Sequence, residues 1–167
     1  MKKVVILSAT SKSNLELAKS LETILSKLNV TTKIINLEEY SFPLYSSSKE
    51  EEGPPANVFD LSNKLVESDG MVICAPEYNG GVPPVVSNAI AWISVTTKNW
   101  RDGFNGKKGV VASSSGGAAN RYIASMKSQL EHLGMIVLPR SIVVNSSKKL
   151  NKKSSTEILS QLVNIVK

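Results

Sequence analysis

Two residue types that build many protein sites are almost missing from this chain: it has a single cysteine, Cys74, and a single histidine, His132. One cysteine forms no internal disulfide and supplies no cysteine-based zinc site, which excludes an oxidised secreted scaffold and a zinc finger. One imidazole removes most metal centres that need two, so no metal is expected. Long apolar runs are missing as well. Val4-Val5-Ile6-Leu7 gives way to polar residues at Ser8, too short a stretch for a secretory segment or a membrane span. The chain therefore reads as cytoplasmic, with no membrane partner.

What remains has the make-up of an ordinary globule. With 167 residues, 41% hydrophobic and 20% charged, the chain suits one folded domain over residues 1–167 with a core of its own. A formal charge of +6 suits an anionic partner: nucleic acid, a phosphate-bearing cofactor or a phosphorylated substrate. The densest basic stretch, Lys148-Lys149 and Lys152-Lys153, has no aromatic residue interleaved as a base-stacking platform requires. It reads as a solvated loop.

Strand-like and helix-like segments alternate along the chain. Val4-Val5-Ile6-Leu7 is a β-branched run that reads as a strand buried on both faces. Leu17, Leu21, Ile24, Leu25 and Leu28 then recur at helical spacing, on a helix opening near Ser13-Asn14. Thr31 to Asn36 is the second strand. Leu37 to Pro55, with Pro43, Ser46-Ser47-Ser48, Gly53 and Pro54, reads as a long, mobile surface loop. Val58, Leu61 and Leu65 mark a second helix, and Gly70 to Ala75 a third strand. Pro84 can open the following helix, because a first helical position needs no amide hydrogen. Val110-Val111-Ala112 is a fourth strand, and Ile123, Met126, Leu130 and Leu133 line the next helix. Ile136-Val137-Leu138 is a fifth strand, which Ile142-Val143-Val144 extends after an interruption at Pro139. Ile158, Leu159, Leu162 and Ile165 close the chain with a helix. Five strands alternating with five helices imply an α/β fold with a parallel sheet covered on both faces. Ligands of such sheets bind beyond the carboxyl ends of the strands, where strand order reverses. The loops after strands one, three and four are therefore the place to look.

The first of these, Ser8-Ala9-Thr10-Ser11-Lys12-Ser13-Asn14, sets hydroxyls, an amide and a cation between a buried strand and a helix start. Such a loop can hold a phosphate, because hydroxyls and free amides donate to it and the helix dipole favours its charge. It is neither a Walker A loop nor a Gly-x-Gly-x-x-Gly fingerprint. A plain helix cap by Ser13 is the competing reading. The second loop, Ala75-Pro76-Glu77-Tyr78-Asn79-Gly80-Gly81-Val82-Pro83-Pro84, pairs stiff prolines with glycines that let a backbone approach a flat ligand. The third, Ser113-Ser114-Ser115-Gly116-Gly117-Ala118-Ala119-Asn120, is again small, polar and glycine-bearing. Three permissive loops at one sheet edge point to a cofactor crevice. Cys74, inside a strand, reads as core rather than redox-active. His132, near a helix end, reads as structural or exposed.

The run from Pro76 to Trp92, Pro-Glu-Tyr-Asn-Gly-Gly-Val-Pro-Pro-Val-Val-Ser-Asn-Ala-Ile-Ala-Trp, resembles the signature of the NADPH-dependent FMN reductase family of flavodoxin-like proteins. The resemblance extends to Phe42-Pro43-Leu44-Tyr45, to Ser68-Asp69 and to the turn Ser115-Gly116-Gly117. It implies a flavodoxin-like three-layer α/β/α sandwich with a five-stranded parallel sheet of order 2-1-3-4-5. It further implies that Ser8, Thr10, Ser13 and Asn14 hold the FMN phosphate. Pro76, Glu77, Tyr78, Asn79 and Gly80 would contact the isoalloxazine and ribityl chain, and Ser115, Gly116 and Gly117 would border the ring's other side. Family members are commonly dimers or tetramers, which implies a homodimer or homotetramer here. The chain departs from the family pattern at Leu7 and Thr10, where glycine and arginine are usual, at Ser87 and Ala91 in place of lysine and aspartate, and at Ala118-Ala119-Asn120.

The resemblance thus implies an NAD(P)H-dependent FMN oxidoreductase. Hydride would pass from NADPH or NADH to FMN, and electrons then to a small acceptor such as a quinone, an azo compound, free flavin or a metal oxyanion. No side-chain nucleophile or general acid is needed for the first half of that reaction; the fold stacks two rings and stabilises developing charge. Two other readings stand beside it. A flavodoxin-type electron carrier would hold FMN but take electrons from a protein, though such carriers are usually acidic and this chain is basic. A nucleic-acid or phosphoprotein module would use the Lys148 to Lys153 cluster and bind with a steep salt dependence.

Overall fold

The structure, a computed structural model, describes residues 1–166. Six strands and six helices follow one another as β1 Lys3–Ser8, α1 Ser13–Ser26, β2 Thr31–Asn36, α2 Ser47–Glu51, α3 Ala56–Val66, β3 Gly70–Cys74, α4 Pro84–Thr96, β4 Lys108–Ser114, α5 Asn120–His132, β5 Ile136–Val137, β6 Ile142–Val144 and α6 Lys152–Ile165. All strand pairs are parallel and the order is β2-β1-β3-β4-β5, with β6 also on β4. This is the order the flavodoxin resemblance implies.

Alternation along each strand sorts the core into two halves. Val5, Leu7, Met71, Ile73 and Val111 face one way, against Leu61 and Leu65 of α3, Ile90 and Ile93 of α4, and Tyr122, Met126 and Leu130 of α5. Val4, Ile6, Val72, Cys74, Val110 and Ala112 face the other way, against Leu17, Leu21 and Leu25 of α1 and Ile158, Leu159 and Leu162 of α6. A sheet between these two helical layers explains why its strands are apolar without a polar face. β1 has β2 on one side and β3 on the other, so the connections diverge there and open a crevice above the strand ends.

β5 and β6 share one edge of the sheet. β5 pairs with Lys108 and Gly109, and β6 with Ala112 to Ser114. The break falls around Pro139, which has no amide to give to a ladder.

The segment from Leu37 to Pro55, expected as a loop, carries short helical structure: a 3-10 turn at Leu37–Glu39 and the short α2. Its middle is tied to α4: Trp92 Nε1 and Asn88 Nδ2 both donate to the Pro43 carbonyl, at 2.8 and 3.0 Å, and the Tyr45 amide donates to Asn88 Oδ1 at 2.8 Å. The Tyr45 ring meets Trp92 edge-on, with centroids 5.3 Å apart. Trp92 is fully buried beneath these contacts.

Candidate functional site

A cleft of about 940 Å³ lies over the carboxyl ends of β1, β3, β4 and β6. Its first wall is the loop between β1 and α1. The N-cap of α1 is Lys12, and no side chain closes that helix end. Ser13 is the first helical residue rather than its cap, which corrects the plain-cap reading. The amide of Glu16 finds the Lys12 carbonyl at 3.1 Å, whereas the amides before it lie in the first turn, where a helix offers them no acceptor. Thr10 and Ser13 line the cleft. Ser8 does not: it is wholly buried and its hydroxyl donates to the Thr10 carbonyl at 2.8 Å. Asn14 is nearly as buried and acts as a brace. Its Nδ2 donates to the Ser114 carbonyl at 2.9 Å while its Oδ1 accepts the Ser114 amide at 2.8 Å. The start of α1 is thereby fixed to the end of β4.

The second wall comes from the loop after β3. Pro76, Glu77 and Tyr78 line the cleft, and Asn79 and Gly80 do not. Asn79 and Gly80 form the centre of a tight turn, with φ of 48° and 73°, closed by reciprocal bonds between Tyr78 and Gly81 at 3.2 and 2.9 Å. Positive φ at both central positions is the type I′ geometry that favours Asn-Gly. Gly80 is glycine for this turn and for the Arg121 side chain, which would stand 3.2 Å from a Cβ there. Gly116 has a different reason. Its φ is not positive, it lines the cleft, and an added Cβ would meet nothing within 4 Å. Its missing side chain keeps the third wall low where a flat ligand can approach.

Ser115 joins the second and third walls, its hydroxyl accepting the Glu77 amide at 3.2 Å. A hydroxyl that accepts still has a proton to donate, and Ser115 lines the cleft. Gly117 lies outside the lining, but its carbonyl accepts Asn145 Nδ2 at 3.1 Å. That bond introduces a wall sequence reasoning missed: Asn145, Ser146 and Lys149, after β6, line the same cleft. Applying the sheet-edge rule to the last strand as well as to strands one, three and four would have found it.

The carboxylates around the cleft are all engaged. Glu77 Oε2 accepts the amides of Arg121 and Tyr122, each at 3.0 Å, and so caps α5 from another loop. Glu38, also unanticipated, accepts the amide and hydroxyl of Ser11. Glu16 is ion-paired with Lys19 at 2.8 Å. Among the described residues the lining cations Lys12 and Lys149 have no ion-pair partner. No group of three or more His, Cys, Asp or Glu among the described residues could hold a metal, and no helix there is long and apolar enough to cross a membrane.

This donor set fits a flavin mononucleotide. An open helix end with hydroxyls beside it suits a phosphate, and the low wall at Gly116, in the same cleft as Pro76 and Tyr78, suits a planar ring.

Comparison with known proteins agrees with the architecture. The quinone reductase of Escherichia coli (strain K12) is 47% identical over 53 residues, covering 31% of this chain and 28% of that protein. The chain's match thus spans under a third of that curated relative. The flavoenzyme NAD(P)H:(acceptor) oxidoreductase FerB of Paracoccus denitrificans superposes with a TM-score of 0.75 at 20% identity, over 99% of this chain and 96% of its own. An oxidoreductase of Corynebacterium diphtheriae gives 0.82 at 15% identity, over 99% and 97%. These two establish a shared fold. The model of the NADPH-dependent FMN reductase family matches residues 1–149, and the chain belongs to that family.

Proposed function

We propose that the protein is an NAD(P)H-dependent FMN oxidoreductase that passes electrons to small acceptors, quinones first among them. The observation that carries this reading is the convergence of four loops, from distant parts of the chain, on one cleft beside an open helix end. Family membership and the quinone reductase relative support it.

FMN, when bound, supplies the two-electron chemistry that the side chains of the cleft lack. Thr10, Ser13 and the first-turn amides of α1 would hold its phosphate, with Asn14 keeping that helix end in place against β4. Pro76, Glu77 and Tyr78 would support the ring on one side and Ser115 and Gly116 on the other. Ser115 would present a hydroxyl proton to negative charge developing on the ring, and a donor held by the fold needs no reorganisation as charge appears. Tyr78, 50% exposed at the rim, would flank the ring face where nicotinamide and acceptor alternate. Ser8, Asn79, Gly80 and Gly117 serve by shaping the loops.

The reading also takes the protein to be a cytoplasmic homodimer or homotetramer. Leu44, 79% exposed on a segment hydrogen-bonded to α4, supports burial against a second copy; light scattering showing a monomer would count against it. The decisive experiment is an anaerobic titration. Protein supplied with FMN and then freed of unbound flavin by gel filtration should be yellow and should lose its visible absorbance on addition of NADPH or NADH. Colourless protein after FMN addition would defeat the reading, and flavin reduced only by a partner protein would favour an electron carrier.

A further inference from the structure

The phosphate end of the cleft is short of positive charge. A phosphomonoester near neutral pH carries about −1.5 to −2. The end of α1 offers about +0.5, Lys12 adds a unit, and the Glu38 carboxylate on Ser11 takes one away. The loop from Ser8 to Asn14 contains no arginine. The remaining unpaired cation of the lining is Lys149.

The backbone around Lys149 is held on both sides. Asn145 folds the preceding turn, its Oδ1 accepting the amides of Ser147 and Lys148 at 2.9 and 2.8 Å, and the same side chain anchors the turn to Gly117. The Asn145 amide reaches the Lys148 carbonyl at 2.9 Å. On the far side Leu150 packs against the core, and Asn151 caps α6 by accepting the Ser154 amide at 2.9 Å. A lysine between such anchors gives up only its own rotamer freedom when it meets an anion. Lys148, its neighbour, carries the same charge but does not line the cleft.

We propose that Lys149 is a phosphate-binding residue of the cofactor site, acting with Lys12 so that the last loop supplies the charge the first loop lacks. This rests on the flavin reading above. It makes Lys149 selective for the phosphorylated cofactor: riboflavin, which has the same ring and no phosphate, gains nothing from it.

The test is a fluorescence-quenching titration of the cofactor-free protein with FMN and with riboflavin, at several salt concentrations, for wild type, K149Q and K148Q. K149Q should weaken FMN binding about tenfold, leave riboflavin within about twofold, and flatten the salt dependence of FMN binding. K148Q should match wild type. Circular dichroism melts check that the variants remain folded. Unchanged FMN affinity in K149Q overturns the proposal, as does an equal loss of FMN and riboflavin, or an effect of K148Q as large as that of K149Q. Wild type that binds neither flavin overturns the flavin reading and this proposal with it.

Discussion

Glu77 stands in the sequence among residues expected to face a flavin, yet its carboxylate is committed to the first turn of α5. Replacing it by alanine leaves two amides without their acceptor, a loss of about 1–2 kcal/mol. For a chain of this size the melting temperature should fall by about 2–8 °C, and E77Q, which keeps an oxygen, should fall less. Calorimetry of the two variants checks this; equal melting of E77A and wild type would refute the capping role. Glu38 calls for a different measurement. Two like unit charges at contact in water repel by about 1 kcal/mol, so E38Q should tighten FMN binding by up to about fivefold. Weaker binding would mean instead that its bonds to Ser11 shape the loop. Ser8 shows where residue-level reading stops. A hydroxyl in a phosphate-like loop is visible in the letters, but whether it turns outward or inward onto the Thr10 carbonyl depends on backbone direction, which composition does not carry.

At the scale of elements, most of the fold was legible because the strands are short β-branched runs and the helices carry leucines at regular spacing. Even the split of the last strand could be read, from Pro139. The segment after β2 could not. Its prolines and serines signal a loop, and what fixes it are Asn88 and Trp92, more than forty residues away on α4. Those two residues belong to the run that carries the family resemblance, and their work is architectural. Trp92→Phe keeps an aromatic ring in the buried site but is smaller than the indole and removes one donor to the Pro43 carbonyl. Amide hydrogen exchange should accelerate around residues 42–46 while the strands of the sheet keep their protection. Unchanged exchange there would show that Asn88 alone holds the segment.

For the whole molecule, buried groups that resist ionisation set the response to alkali. Burial raises the Tyr122 hydroxyl well above its ordinary 10.0, and pushes the Cys74 thiol up from 9.0 as well. The folded protein keeps these protons while the unfolded chain releases them, so their contribution is intact below pH 9 and declines as pH climbs beyond 9 to 10. Lys107 works in the opposite sense: burial holds its ammonium below 10.5, so its contribution improves as pH approaches that value. The difference between wild type and Tyr122→Phe isolates the tyrosine. Urea unfolding between pH 7 and 11 should show similar stability at pH 7, since only a 3.4 Å bond to the Ile73 carbonyl is lost. Above pH 10 the variant should lose stability less steeply. Parallel curves across the range would place the alkaline sensitivity elsewhere.

The cleft draws on residues 10–14, 76–78, 114–116, 144–146 and 149–150, and its brace joins positions a hundred residues apart. During synthesis, then, the first βα unit can emerge and pack early, but a nascent chain on the ribosome has nothing to grip a nucleotide with until nearly all of it has been translated. Loading is an event for the finished polypeptide, and fragments that end before β6 should come away from any column without colour.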